Sequence, residues 1–178
     1  MKLEITDEGF NEIQAALEEN EKIAQLALRR TINKVATQTS NHLIRETAGM
    51  LPLNRNQIRE PFSIRRATGS NLAAEINIRR IAVPLIDYKP RELKRGHSIR
   101  VNKDKGRQRL ERTFEASVNG KNQLFQREEL KRGYPIRQMF GPAVIEVTQD
   151  YIDDAATKSQ EKILTIFRHE FEFASGNI

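Results

Sequence analysis

The chain has 178 residues and a mass of 20.5 kDa, the size of one domain with one hydrophobic core. Thirty Lys and Arg against twenty-four Asp and Glu give a formal charge of +6, and the absence of Cys excludes disulfides, a thiol nucleophile, iron–sulfur clusters and Cys-ligated zinc. With 38% hydrophobic residues, 30% charged residues and a mean hydropathy of −0.64, the chain predicts a thin core, part of it ordered only against neighbouring subunits.

No run approaches the roughly 18 apolar residues of a transmembrane helix, so no membrane partner is expected. The start, Met1-Lys2-Leu3-Glu4-Ile5-Thr6-Asp7-Glu8, lacks the basic and apolar regions of a signal peptide and predicts synthesis in the cytoplasm. The net charge conceals a pattern. Residues 1–28 carry −5, residues 29–137 carry +15 and residues 138–178 carry −4. Such a chain presents opposite charge to different partners.

Phe10, Ile13, Ala16 and Leu17 recur at helical spacing and predict a short helix over 8–18, with Asp7 capping its first amides. A longer helix is predicted over 21–48, with Leu28, Ile32, Val35, Thr39 and Leu43 on one narrow stripe and Gly49 as its stop. Asn54 can cap a short helix that Pro61 ends. Alternation in Phe62–Arg65 and Leu72–Arg79, separated by Thr68-Gly69-Ser70-Asn71, predicts a hairpin with Phe62, Ile64, Ile76 and Ile78 inward. Residues 81–86 follow as an apolar piece that Pro84 confines to an edge strand or loop.

From Lys89 to Arg112 the composition turns basic, with Leu93, Ile99, Val101 and Leu110 as its apolar interruptions. Residues 89–112 are expected to form a basic loop or hairpin arm with too little apolar surface to fold by itself. Strands are predicted over 113–118 and 123–127 around an Asn119-Gly120 turn, and the chain turns again at Lys131-Arg132-Gly133-Tyr134-Pro135. Gly141 and Pro142 have a backbone role, opening a long C-terminal helix that runs to about 172, with Gly176 as its end. The order predicts a single α+β domain, 1–178. It has a mainly antiparallel sheet, two N-terminal helices and a long C-terminal helix packed on it, and an extended basic arm.

Catalytic constellations are sparse, and neither a metal nor a cofactor is expected. His42, His97 and His169 have no metal-ligand spacing with one another. Asp87 and Glu92-Leu93-Lys94 loosely imitate a metal-dependent nuclease but sit among Pro90, Arg91 and Arg95 instead of on buried strands. Asp150, Asp153 and Asp154 read as surface acids, and no phosphate-binding glycine loop is present. The basic segment is more informative. Arg95, Arg100, Lys103, Lys105, Arg107 and Arg109 are the candidate contacts, either to DNA phosphates without sequence preference or to acidic surfaces of neighbouring subunits. No aromatic residue interleaves them from Lys89 to Arg112, so base stacking is not expected.

Several segments, in order, carry a resemblance. Ala27-Leu28-Arg29-Arg30-Thr31-Ile32-Asn33-Lys34-Val35-Ala36 and Ile81-Ala82-Val83-Pro84-Leu85-Ile86-Asp87-Tyr88 precede Thr113-Phe114-Glu115-Ala116, Asn119-Gly120, Leu124-Phe125-Gln126-Arg127, Tyr134-Pro135-Ile136-Arg137 and Met139-Phe140-Gly141-Pro142-Ala143-Val144. Together these resemble the minor tail protein Z family of tailed bacteriophages and prophages, over about residues 24–150. The resemblance implies a structural virion protein, made in the bacterial host cytoplasm and not an enzyme, that completes the head-proximal end of the tail. It further implies a homo-oligomeric ring, sixfold by analogy with neck components, meeting a tail terminator and a head–tail connector around the channel for genomic DNA. The competing reading from the residues is a sequence-nonspecific DNA-binding protein.

Overall fold

Helical spacing near the N-terminus produces α1, Asp7–Glu19, and after Asn20 the chain continues as α2, Glu21–Met50. These come from a computed structural model that describes residues 7–128 and 135–176. The Asp7 side chain and residues 131–134 of the expected turn lie outside what it describes. Ile13 and Ala16 of α1 are buried as expected, but Phe10 is 62% exposed. Nor does α2 stop at Gly49. It runs to Met50 because its last carbonyls find partners: the Lys103 backbone N–H donates to Met50 O at 2.7 Å, and the Lys103 ammonium donates to Ala48 O.

Asn54 caps α3, Arg55–Arg59, in a reciprocal arrangement. Its side-chain oxygen accepts the Gln57 N–H at 2.9 Å, while Gln57 Oε1 accepts the Asn54 N–H at 3.1 Å. Strands β1 (Phe62–Arg65) and β2 (Glu75–Ile78) then pair antiparallel, with Phe62 opposite Ile78 and Ile64 opposite Ile76, the apolar face that their alternation requires. Next come β3, Ala82–Pro84, and a 3₁₀ turn, Leu85–Tyr88. The segment expected as a basic loop or arm contains three short strands, β4 (Arg91–Leu93), β5 (Gly96–Ile99) and β6 (Gln108–Leu110), paired antiparallel in that order. A third sheet joins β7 (Thr113–Val118), β8 (Lys121–Arg127) and β9 (Ile136–Gln138). Its first turn holds Asn119 at φ 51° and Gly120 at φ 75°, the left-handed pair that a two-residue hairpin needs.

The C-terminal region departs from expectation. Gly141 and Pro142 do not open a helix; they belong to β10, Phe140–Ala143, which pairs with the edge of β3. Pro142 has no N–H to give the ladder, and the register shifts between Phe140 and Ala143 accommodate it. The first helix, α4 (Val144–Thr148), begins after this strand; the Glu146 carboxylate accepts the Ala143 N–H at 3.3 Å. A 3₁₀ turn, Gln149–Tyr151, separates it from the long α5, Ile152–Ser175, which ends at Gly176 as expected. The fold is thus α+β with antiparallel pairing, its strands distributed over several small sheets instead of one.

The chain divides into two compact units. The first comprises Met1–Ile44, Phe62–Ile78 and Asp150–Ile178. Its core brings Ile13, Ala16, Ala24, Ala27 and Phe167 together, with Leu17, Leu28 and Phe171 against them. Ser159 Oγ donates to Ala155 O at 2.6 Å, so it is the Thr39 hydroxyl that donates to Ser159 Oγ at 2.5 Å, joining α2 to α5. Outside this core Arg168 forms a two-pronged pair with the Glu12 carboxylate at 2.7 and 2.8 Å; these bonds hold Glu12 below the usual carboxylate range and raise Arg168.

The second unit comprises Arg45–Pro61 and Arg79–Gln149. Here Thr148 donates to Val144 O at 2.9 Å, so Thr47 is the donor in the buried 3.0 Å bond to Thr148. Tyr88 is only 1% exposed, donates to Pro142 O at 3.1 Å, and has its phenol pushed up by burial, with the Asp87 and Glu146 charges adding to the effect. A Cβ at Gly141 would meet the Tyr88 ring at 2.7 Å and Leu85 at 3.1 Å. Gly141→Ala therefore overpacks this site, and equilibrium denaturation is expected to show a loss of about 1–3 kcal/mol; unchanged stability would show that the ring has room to move.

Candidate functional site

Antiparallel register determines which basic side chains share a surface. Arg91 stands opposite Ser98, and Ser98 opposite Arg109, so these three residues form one row across β4, β5 and β6. Arg100 follows the end of β5 and is exposed. The alternate residues face inward: His97 is 4% exposed and Ile99 is 1% exposed. Thr113 donates its single hydroxyl proton to Leu110 O at 3.0 Å, so His97 Nδ1 is the donor in its 2.9 Å bond to Thr113, tying β5 to the start of β7. On β5 one side, His97 and Ile99, is thereby buried, while Ser98 on the other side lies in the row of the exposed Arg91 and Arg109.

Arg107, half-buried, reinforces that arrangement through hydrogen bonds. Its guanidinium donates to Ser98 O at 2.5 Å, to Ser98 Oγ at 3.2 Å and to Lys89 O at 3.4 Å. Desolvation lowers its pKa first, and the neighbouring charges of Arg91 and Arg100 lower it further. Arg109 has Glu111 at 3.9 Å, with side-chain exposures of 55% and 70%, a pair that solvent screens.

The six expected contact residues therefore separate. Arg95, in the turn between β4 and β5, and Arg100, Lys105 and Arg109 are exposed. Lys103 is committed to the end of α2, and Arg107 to the Ser98 and Lys89 carbonyls. Arg91 was missing from the expected set although it shares the row of Arg109. The missing signal was register: three-residue strands of mostly polar composition offer no hydrophobic alternation from which to derive pairing.

The other polar candidates form no catalytic arrangement. Asp87 lies in the 3₁₀ turn, Glu92 is exposed on β4, and Lys94 is exposed in the following turn. His42 pairs with Asp154 at 3.2 Å, and His169 is exposed. The Lys158 ammonium, 2.6 Å away, lowers the Asp154 pKa most, followed by His42. Among the described residues no three His, Asp or Glu side chains gather where they could hold a metal ion.

A second feature was not visible in the sequence. In the first unit a cleft of about 340 Å³ is walled by apolar side chains, including Leu28, Val35, Ile76, Ile163 and Phe167. Thr31 lies in the same wall, 2% exposed, and its hydroxyl has no hydrogen-bond partner among the described residues. Charge also sorts between the units: the first contains ten Lys and Arg against fourteen Asp and Glu, −4, and the second twenty against ten, +10.

The family model for prophage minor tail protein Z matches residues 9–174. The chain belongs to that family. No curated protein and no solved structure matches it. The tail protein thus has a structural role in a phage tail and is a component of the virion. Among the described residues no helix is long and apolar enough to cross a membrane.

For the tail protein the basic residues should divide experimentally as they divide in space. Arg107→Ala removes hydrogen bonds to the Ser98 and Lys89 carbonyls and is expected to cost about 1–2 kcal/mol, as for other bonds to charged groups. Arg91→Ala and Arg100→Ala, at exposed positions, should each stay within about 0.5 kcal/mol of the parent. Urea melts of the three variants measure the difference, and equal losses would contradict the structural role given to the Arg107 hydrogen bonds.

Proposed function

We propose that this tail protein completes the head-proximal end of the tail and links the tail terminator to the head–tail connector, as a closed homo-oligomeric ring, sixfold by analogy with neck components, around the channel for DNA. Both units of the chain act together as one tail-completion subunit. The observation that carries the reading is the sorting of charge into a −4 unit and a +10 unit within one chain. Opposite charge at two sites on each subunit favours contact between unlike surfaces, and such head-to-tail contacts form a ring when the rotation between successive copies closes. A structural tail role, given by the family, is what a ring subunit requires.

The test has an in vivo and an in vitro part. A phage lacking this gene is expected to accumulate heads and tails that do not join, and the gene supplied in trans should restore joining. Purified protein should sediment as a closed oligomer near 0.1 M salt and dissociate toward monomers near 1 M, where the screening length falls from about 10 Å to about 3 Å. Joined particles without the protein, or a monomer at both salt concentrations, would overturn the proposal.

The exposed arginines favour the second reading, sequence-nonspecific DNA binding. Arg91 and Arg109 stand exposed in one row of the sheet and Arg100 is exposed just after β5, with no aromatic residue from Lys89 to Arg112 to stack on a base. Contacts of this kind neutralise phosphates and weaken with salt. Replacing these three arginines with Glu should weaken binding of a 20-base-pair duplex, measured by fluorescence anisotropy, more than tenfold and flatten its salt dependence by about three units of slope. Affinity and slope equal to those of the parent would eliminate this reading.

A further inference from the structure

We infer that the apolar cleft of the first unit is the receiving site for a second copy of this chain, entered by exposed apolar side chains of that copy's basic unit. The inference rests on the ring proposed above and names the surfaces that build it. At about 340 Å³ the cleft is larger than a cavity that accepts benzene, roughly 150 Å³. It has room for more than one aliphatic or aromatic side chain. Its wall draws on α2, α5 and the segment preceding β2, where Leu72 is 39% exposed and Ala73 is exposed. Apolar surface left open in this way marks an association site.

Two observations identify the occupant as another copy. The unit bearing the cleft has a charge of −4, and the other unit, at +10, supplies a complementary surface in every copy. That basic unit also exposes Ile136, Phe140 and Val118 by 53%, 49% and 47%. These are apolar groups of the class the cleft takes, and each of two stands opposite a basic residue in the sheet, Ile136 opposite Arg127 and Val118 opposite Lys121. Electrostatic attraction orients the encounter, and apolar burial then holds it. Thr31 and Thr39 are the hydroxyl residues of the cleft wall, and the Thr31 hydroxyl has no hydrogen-bond partner among the described residues.

The chain contains no Cys, so a single introduced thiol labels one position only. Ala73→Cys carries a benzophenone photocrosslinker at the mouth of the cleft, and crosslinked dimers are digested and sequenced by mass spectrometry. The expected product joins position 73 to a peptide within 79–149 of another copy; mixing ¹⁴N- and ¹⁵N-labelled protein distinguishes it from a crosslink within one chain. In parallel, Leu72→Asp, at an exposed position in the cleft lining, should keep the fold, as judged by circular dichroism, yet weaken self-association about tenfold in sedimentation. Phe140→Asp, at an exposed position, should also weaken self-association without loss of helix content.

Oligomers that crosslink from position 73 only to residues of the first unit would overturn this inference and leave the ring intact. Oligomers that resist both substitutions would do the same. A chain that stays monomeric at low salt would overturn the ring itself, and with it this inference. A crosslink from position 73 to a different tail protein, in place of a second copy, would assign the cleft to that protein and reject self-docking.

Discussion

A helix of thirty residues with a narrow face of small and hydroxyl side chains is the constraint from which the rest of the architecture follows. Ala24 and Ala27 are fully buried on α2, so α1 and α5 approach it closely around Phe167. Small side chains bury little area each, and close-packed contact compensates through dispersion. Polar atoms on such a face must be satisfied internally. Thr39 donates to Ser159, and Thr47 donates to Thr148; each acceptor uses its own proton on a carbonyl one turn back. Thr31 breaks this rule, and it does so in the wall of the open cleft.

Elsewhere short strands replace a broad sheet. The buried residues of β5, His97 and Ile99, show how a segment dominated by charge acquires order: one face is covered and the other remains with solvent. Arg107 and Lys103 extend the same economy by spending positive charge on backbone carbonyls, those of Ser98 and Lys89 in one case and Ala48 in the other. What remains outside is a smaller set of arginines than the composition implies, and a more ordered one.

Local chemistry made much of the chain legible. The Asn54 cap, the Asn119-Gly120 hairpin, the alternation of β1 with β2 and the Gly176 end each depend on residues close in sequence, and each appears where its residues place it. Readings failed where a distant partner intervened. Gly49 remains helical because Lys103 satisfies the final carbonyls of α2, and Pro142 is held in a strand because β3 offers it an edge. Phe10 satisfies the helical period yet faces solvent, since periodicity alone does not say how far a buried face extends.

The sequence by itself determined the α+β class, the main helices, the charge blocks and, through its ordered motifs, the family resemblance. All of these reside in composition or in short-range spacing. Only the tertiary structure decided which cations are available, because cross-strand register placed Arg91 beside Ser98 and Arg109 while hydrogen bonds withdrew Lys103 and Arg107. It also gathered the acidic blocks into one compact unit with an open cleft, and most of the basic block into the other. Register, burial and cavity shape are properties of pairs of segments far apart in the chain, and no single segment encodes them.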